Sequence, residues 1–189
     1  MTSATRAVAG PLRILAISGS LRARSSNTSL LKLAMGVAPD DMEIVLYDGL
    51  ASLPHFNPDD DVDVPPASVL GLRALVGEAD GLLICSPEYA HGVPGALKNA
   101  LDWLVSGPDV PGLPVAVVNA TTRAHHAHAS LVETLRTMSA DVVEAASVRL
   151  PLAPAQRTAE AILADPAIAA MLTAGLNALL GAVRGSRGL

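Results

Sequence analysis

The 189-residue chain contains a single cysteine, Cys85, and this scarcity limits its chemistry. One thiol can form neither an internal disulfide nor a cluster of thiolate metal ligands. Cys85 ends the most apolar run of the chain, so we expect a core residue there rather than a reactive thiol. The low cysteine content fits a reducing compartment, and the expected location is cytoplasmic.

Basic residues are also scarce, which excludes one class of partner. The 13 lysines and arginines are outnumbered by 18 acidic residues, giving a formal net charge of −5. Because duplex binding depends on concentrated positive charge, no nucleic-acid partner is expected. Half of the residues are apolar, yet no apolar run approaches the length that a membrane span needs, so no membrane partner is expected either.

The start of the chain lacks the apolar core of a secretory signal. We expect residues 1–11 to form a disordered lead-in and residues 12–185 to form one domain, a size that buries a full core.

Apolar runs typical of buried strands alternate with helical patterns along the chain. Alternation of this kind predicts an α/β domain whose parallel strands are covered on both faces, with ligands beyond the carboxyl ends of the strands. The last helical pattern contains Pro166, which begins a new turn or splits the helix. The predicted strands are Leu12–Ser18, Met42–Tyr47, Gly81–Cys85, Leu113–Asn119 and Val142–Val148; the helical patterns lie at 28–37, 69–76, 97–104, 130–140 and 155–183.

The loop after the first strand has the composition of an anion site. Gly19 permits a sharp bend, and hydroxyls, an amide and arginines follow before a helix begins. Arg22 offers a planar fork suited to an oxyanion. The alternative is that Ser26 or Asn27 only caps the helix while the arginines face solvent. No Gly-Lys-Ser/Thr closes the loop, so a nucleoside triphosphate loop is excluded. The candidate phosphate ligands are Ser20, Arg22, Ser25, Asn27 and Thr28.

The loop after the third strand carries one of only four aromatic residues in the chain, Tyr89. An aromatic side chain at the edge of a sheet can line or stack against a planar ligand. The alternative is an ordinary proline-and-glycine turn with one exposed tyrosine.

These two loops together resemble the NADPH-dependent FMN reductases, flavodoxin-like flavoproteins that include quinone, azo-dye and chromate reductases. The resemblance is carried by G-S-L-R-x-x-S-x-N at 19–27 and by S-P-E-Y-x-x-G-x-P-G-x-L-K-N-A-L-D-W at 86–103. It implies a flavodoxin-like three-layer sandwich with a five-stranded parallel sheet of order 2-1-3-4-5. It also implies a homodimer or homotetramer whose interface includes the helix after the third strand.

The resemblance implies that the first loop holds the phosphate of FMN and that the second borders its isoalloxazine ring. NADPH or NADH would reduce the flavin, which would pass electrons to a small-molecule acceptor by a ping-pong mechanism. No catalytic side chain and no metal are predicted. The ring-side residues implied are Pro87, Glu88, Tyr89 and Gly92.

Two departures from the family pattern lie near the expected ring. Ala90 stands where the family commonly has asparagine, and the loop after the fourth strand lacks the family's glycines. Thr121 and Arg123 are the candidates there for the flavin edge or for a nicotinamide phosphate. The role of the following cluster of His125, His126 and His128 stays open between a place at the mouth of the site and a polar helix start.

Two other functions fit the same fold. One is a non-enzymatic flavodoxin-like electron carrier or flavin redox sensor. The other is a flavin-free domain that binds a phosphorylated metabolite through the first loop alone.

Overall fold

The structure is a computed structural model that describes residues 10–153 and 158–189. Most of the predicted lead-in and the first residues of the last predicted helix, 155–157, lie outside the described residues. In the described part, a five-stranded parallel sheet has the strand order β2-β1-β3-β4-β5. This confirms the predicted sandwich and its order. The strands are β1 Leu12–Ser18, β2 Met42–Tyr47, β3 Gly81–Cys85, β4 Pro114–Val118 and β5 Asp141–Val142.

The helices begin where the sequence offers caps. Ser25 caps α1, and Asp165 caps α6, whose first residue is Pro166. The predicted split at Pro166 is therefore confirmed, because proline is tolerated in the first helical turn and not further inside. The helices are α1 Ser26–Gly36, α2 Ala67–Glu78, α3 Gly95–Leu104, α4 His125–Thr137, α5 Ala159–Leu163 and α6 Pro166–Arg187.

Alternate residues of the central strands point to opposite faces of the sheet, and each face has its own apolar core. Ile14 and Leu83 pack with buried residues of α1, α5 and α6. Leu15 and Leu82 pack with buried residues of α2, α3 and α4. The sheet is thus covered on both sides, and Cys85 is buried in the first of the two cores as predicted.

The prediction of a long fifth strand at Val142–Val148 is wrong. The strand is only two residues long, and a single 3-10 turn follows at Glu144–Ala146. The hydroxyl of Ser147 accepts the N–H of Val117 and donates to the carbonyl of Val143, both at 3.0 Å. The Ser147 side chain therefore bonds β4 where a backbone carbonyl of β5 would otherwise do so. Beyond it, the chain pairs with the end of β4 at an isolated bridge between Asn119 and Arg149.

Helix α4 begins earlier than predicted, at His125 rather than near Ser130. The histidines consequently occupy its first turn, beside the carboxyl end of β4. Among the described residues, α6 is the one helix long and apolar enough to cross a membrane by length and composition. Seven of its residues are buried against the sheet layer, so it packs as a core helix.

The proline-rich and acidic loop after β2 is mostly exposed, as predicted, but it is fastened to α3. Asn99 donates to the carbonyl of Pro54 at 2.9 Å and accepts the N–H of Phe56 at 2.7 Å. The indole of Trp103 donates to the same Pro54 carbonyl at 2.9 Å. Asn99 and Trp103, both within the 86–103 motif, therefore fix the loop after β2 at Pro54 and Phe56.

Candidate functional site

Three loops meet at the carboxyl edge of the sheet and enclose a cleft of about 390 Å³. They follow β1, β3 and β4, the positions at which an open parallel sheet binds ligands. The residues that line it are Ser26, Asn27, Pro87, Glu88, Ala120, Thr121, Arg123 and Ala124.

One end of the cleft is the N-terminus of α1. Ser25 accepts the N–H of Thr28 at 3.4 Å, and no acidic residue lies in the first turn of the helix. The N–H groups of Ser26 and Asn27 come before the first intrahelical bond and point out of the helix end. Their partial positive charge favours an anion at this end of the cleft.

The serine hydroxyls of this loop accept hydrogen bonds from backbone N–H groups, so their own protons remain available to donate to a ligand. Ser20 accepts the N–H of Arg22 at 3.4 Å, and both Ser20 and Ser25 are buried, at 8% and 4% exposure. An oxygen that accepts from the backbone still has its own O–H to give. Arg22 is exposed and has no ion-pair or hydrogen-bond partner for its guanidinium among the described residues.

The first loop also touches the loop after β3. A Cβ placed on Gly19 would lie 3.0 Å from Leu97 and 3.2 Å from the Ser86 hydroxyl, so any larger residue would have to push these side chains aside. Beneath the cleft, Cys85 donates its S–H to the side-chain oxygen of Asn27 at 3.2 Å. Burial raises the pKa of the Cys85 thiol strongly, which keeps it protonated as that donor. The Asn27 amide N–H groups remain for the cleft.

At the other end, Glu88 caps the N-terminus of α4. Its carboxylate accepts the N–H of Ala127 at 2.9 Å. That bond lowers the pKa of the Glu88 carboxyl, helped by the N–H of His126 and by the charges of His126 and His91, while burial opposes the shift. A resemblance alone assigned Glu88 to the flavin border; its side chain also locks the β3 loop to α4.

Tyr89 and Gly92 bond each other across a two-residue turn, with N–H to carbonyl distances of 3.2 and 2.9 Å. The turn residues Ala90 and His91 both have positive φ, at 49° and 59°. A turn of this kind favours asparagine and glycine, so Ala90 holds a conformation that suits it poorly. Tyr89 is half exposed beside the cleft.

The three histidines after β4 have three different partners. His128 bonds Asn119 at 2.7 Å, His125 accepts from Arg149 at 2.8 Å, and His126 stacks on His91 with ring centroids 4.2 Å apart. Among residues 10–153 and 158–189, no group of three or more histidine, cysteine or acidic side chains is placed to hold a metal ion.

Asn119 joins the two strand ends that carry the ring-side loops. It is fully buried, and its amide N–H donates to the carbonyl of Ser86 at 3.0 Å. Its oxygen must then accept, so the proton of His128 sits on Nδ1. Burial, followed by the charges of Arg149 and His125, lowers the pKa of His128, which favours this neutral form.

The predicted site residues are distributed over the three loops. Five of them border the cleft: Asn27, Pro87, Glu88, Thr121 and Arg123. Ser20, Arg22 and Ser25 belong to the loop at the end of the cleft that favours an anion, and Thr28 lies in the first turn of α1 beside it. Tyr89 and Gly92 form the adjoining turn.

Sequence reasoning missed two supporting residues. Ser18 bonds Thr28 through their hydroxyls at 2.8 Å, and Asn119 ties β3 to β4. Each is a polar residue at the end of an apolar strand, a signal that could have identified both.

The fold and the cleft define the class of protein: a flavodoxin-like α/β domain with a cleft at the carboxyl edge of its sheet. A family model described as NADPH-dependent FMN reductase matches residues 12–155, and the chain belongs to that family.

Individual proteins show the same likeness. The chain is 38% identical over 112 residues to an NAD(P)H-dependent FMN reductase of Pseudomonas aeruginosa, covering 58% of this chain and 60% of that protein. It is 38% identical over 109 residues to a quinone reductase of Escherichia coli, covering 56% and 58%. The matches thus span less than two thirds of the length of these curated relatives.

A solved structure covers more of the chain. The flavoenzyme NAD(P)H:(acceptor) oxidoreductase of Paracoccus denitrificans superposes with a TM-score of 0.82 at 27% identity. The match covers 92% of this chain and 98% of that one.

Proposed function

We propose that the protein is an FMN-dependent NAD(P)H oxidoreductase that reduces a flavin, a quinone or a similar small-molecule acceptor. The observation that carries the proposal is the cleft itself: an anion-binding helix end, a ring-side loop and the β4 loop meet in one space of about 390 Å³. A cofactor with a phosphate at one end and a planar ring at the other matches that order.

The donor set fits the phosphate monoester of FMN. Ser20 and Ser25 offer O–H donors from buried positions, the first turn of α1 offers N–H groups, and Arg22 is free to pair with a charged oxygen. No carboxylate lies in the first turn of α1 to oppose a dianion. In this proposal Ser20, Arg22, Ser25, Asn27 and Thr28 hold the phosphate.

The ring would lie between the loops after β3 and β4. Pro87, Glu88, Tyr89 and Gly92 would border one side, and Thr121 and Arg123 the other. Thr121 accepts the N–H of Arg123 at 3.2 Å, so its hydroxyl proton is available to a ring oxygen or nitrogen. When bound, FMN supplies the redox chemistry, accepting a hydride from NAD(P)H and passing two electrons to the acceptor.

The chain's own contribution is binding and orientation. The Glu88 cap and the Asn119 bonds fix the two ring-side loops to each other. In this proposal the nicotinamide and the acceptor use the open side of the cleft in turn. Alternate use of one face supports a ping-pong mechanism. We also propose that residues 12–185 act as one FMN-binding domain, in a cytoplasmic homodimer or homotetramer; light scattering of the purified protein would test the assembly.

The proposal is tested by adding FMN to the purified protein and mixing it anaerobically with NADPH or NADH. Rapid bleaching of the flavin absorption, followed by its return on adding a quinone, is the expected result. Bleaching only by dithionite would indicate an electron carrier, and a protein that fails to retain FMN would contradict the cofactor assignment. Convergent rather than parallel initial-rate lines would contradict the ping-pong mechanism.

A further inference from the structure

A second cleft, of about 470 Å³, lies beside α4 on the side of the short strand β5. It exists because β5 ends after two residues and the chain turns away at Glu144–Ala146, leaving a space between that segment and the helix. The size lies within the range of ordinary small-molecule sites. Nothing in the proposed flavin site uses this space.

The two clefts lie at neighbouring points along the segment that leads from the β4 loop into α4. Thr121, Arg123 and Ala124 border the first cleft, while His128, on the next turn of the same segment, borders the second. One helical turn advances by about 5.4 Å, so a single extended ligand can reach from one cleft into the other.

The end of the second cleft nearer the flavin cleft is positively charged. Arg149 donates to His125 at 2.8 Å, and no carboxylate pairs with Arg149 within the described residues. Because the imidazole accepts only one of the five guanidinium N–H groups, the others remain for an oxyanion.

The far end carries both signs of charge. Arg136 pairs with Glu144 at 2.6 Å, and Glu133 lies on the same helix three residues earlier. Between the two ends, Val132 and Val142 form an apolar stretch. The cleft therefore runs from Arg149, which has no carboxylate partner among the described residues, past two valines to an end where Glu133 lies beside the Arg136–Glu144 pair. The Glu133 carboxylate can accept hydrogen bonds from hydroxyl or amino groups.

We propose that this second cleft binds the phosphorylated adenosine half of NADPH. Arg149, with His125, takes the 2′-phosphate, the adenine lies over Val132 and Val142, and Glu133 accepts from its amino group. The nicotinamide half then extends past Arg123 into the flavin cleft. The assignment rests on the proposed function and deepens it, since it makes the protein selective for NADPH over NADH.

Direct binding tests the subsite without any turnover. Calorimetric titration of the FMN-loaded protein with adenosine 2′,5′-bisphosphate and with adenosine 5′-monophosphate should show tighter binding of the bisphosphate. Arg149→Gln should weaken the bisphosphate by about tenfold or more, the usual size for one charge-assisted contact. The matched control is Arg184→Gln, an exposed arginine paired with Asp41 at the opposite edge of the sheet, and it should change neither affinity.

A second variant covers the case in which Arg149→Gln fails to fold. Val132→Trp fills the apolar middle of the cleft and should weaken both nucleotides together. Equal binding of the two nucleotides to the unaltered protein, or bisphosphate binding that Arg149→Gln leaves unchanged, would overturn the assignment.

Steady-state kinetics separate this inference from the proposed function. The ratio of kcat/KM for NADPH over NADH should exceed one and should fall about tenfold in Arg149→Gln. A flavin reduced equally well by both nicotinamides overturns the subsite and leaves the oxidoreductase standing. A flavin reduced by neither overturns the oxidoreductase, while bisphosphate binding that depends on Arg149 would still support the nucleotide subsite.

Discussion

The two ends of the proposed flavin cleft, the phosphate end and the ring end, are built in different ways. At the phosphate end, the serine hydroxyls bond residues close in sequence: Ser25 caps Thr28, and Ser20 accepts from Arg22. One long-range bond, from Cys85 to Asn27, lies beneath them. At the ring end, the contacts join distant segments: Glu88 reaches α4 across 39 residues, and Asn119 reaches Ser86 across 33.

This difference predicts how each end responds to mutation. A locally built loop keeps its shape when one side chain is lost, so changes there act on ligand affinity. A site assembled from distant segments depends on a few buried bonds, so changes there act on stability and on the relative placement of the loops.

The largest effect is expected for Asn119→Leu. The change leaves the Ser86 carbonyl and His128 without their partner in a buried position, and each orphaned group costs about 1–3 kcal/mol. The free energy of unfolding, measured in urea, should fall by about 2–4 kcal/mol.

Asn57→Leu is the matched control for that variant. The side chain of Asn57 accepts one N–H, from Asp59 at 3.2 Å, in an exposed turn. Its loss should stay below about 1 kcal/mol. Equal losses in the two variants would show that Asn119 does not join the ring-side loops.

At the phosphate end, Arg22→Ala should change affinity and not folding. Arg22 is exposed, so its removal should leave the free energy of unfolding nearly unchanged. The dissociation constant for FMN should rise about tenfold, as expected for one charge-assisted contact. Arg24→Ala, in the same loop and also exposed, is the control. Unchanged FMN affinity in Arg22→Ala would remove Arg22 from the phosphate site.

A pH dependence is expected for the Glu88 cap. The folded pKa of Glu88 is depressed, so its stabilising contribution is fully present above the ordinary carboxyl value of 4.5 and is lost as the pH falls through the lower folded pKa. Glu88→Gln should therefore be less stable than the unaltered protein at neutral pH, and the difference should shrink in acid. Urea titrations at neutral pH and at about pH 3 measure it. A difference that grows in acid would contradict the cap.

The smallest effect concerns the turn at Ala90. Its φ of 49° suits glycine better than alanine, so Ala90→Gly should stabilise the fold by about 0.5–1 kcal/mol. Ala174→Gly, on the exposed face of α6, is the control and should destabilise by about the same amount. The thermal midpoints should move in opposite directions; a fall in both would mean that the turn carries no strain at Ala90.

Much of the fold could be predicted because its signals are local. Continuous apolar runs marked β1 to β4, and Pro166 marked the split before α6. The fifth strand could not be predicted, because the bond from Val117 to the Ser147 hydroxyl that ends it joins segments 30 residues apart. The apolar pattern at Val142–Val148 fits a strand, but it does not reveal that a serine hydroxyl will take the place of the backbone hydrogen bonds between the strands.

The site follows the same division. A helix cap and the hydroxyls of the first loop could be predicted from their spacing before a helix, but the structure puts the cap at Ser25 rather than at Ser26 or Asn27. The partners of His125, His126 and His128 could not, because each lies on another segment: Arg149, His91 and the strand end at Asn119. The second cleft could not be predicted from the sequence either, because it forms only where β5 ends after two residues.

The central claim is that the loop after β1 recognises a flavin through its phosphate. The most direct measurement compares equilibrium binding of FMN and riboflavin to the protein freed of flavin, since the two ligands share the ring and differ only in the phosphate. Two or more charge-assisted bonds predict that FMN binds at least about 100-fold more tightly. Equal affinity for the two would contradict the account, because the helix end, the buried hydroxyls and Arg22 would then contribute nothing to the ligand.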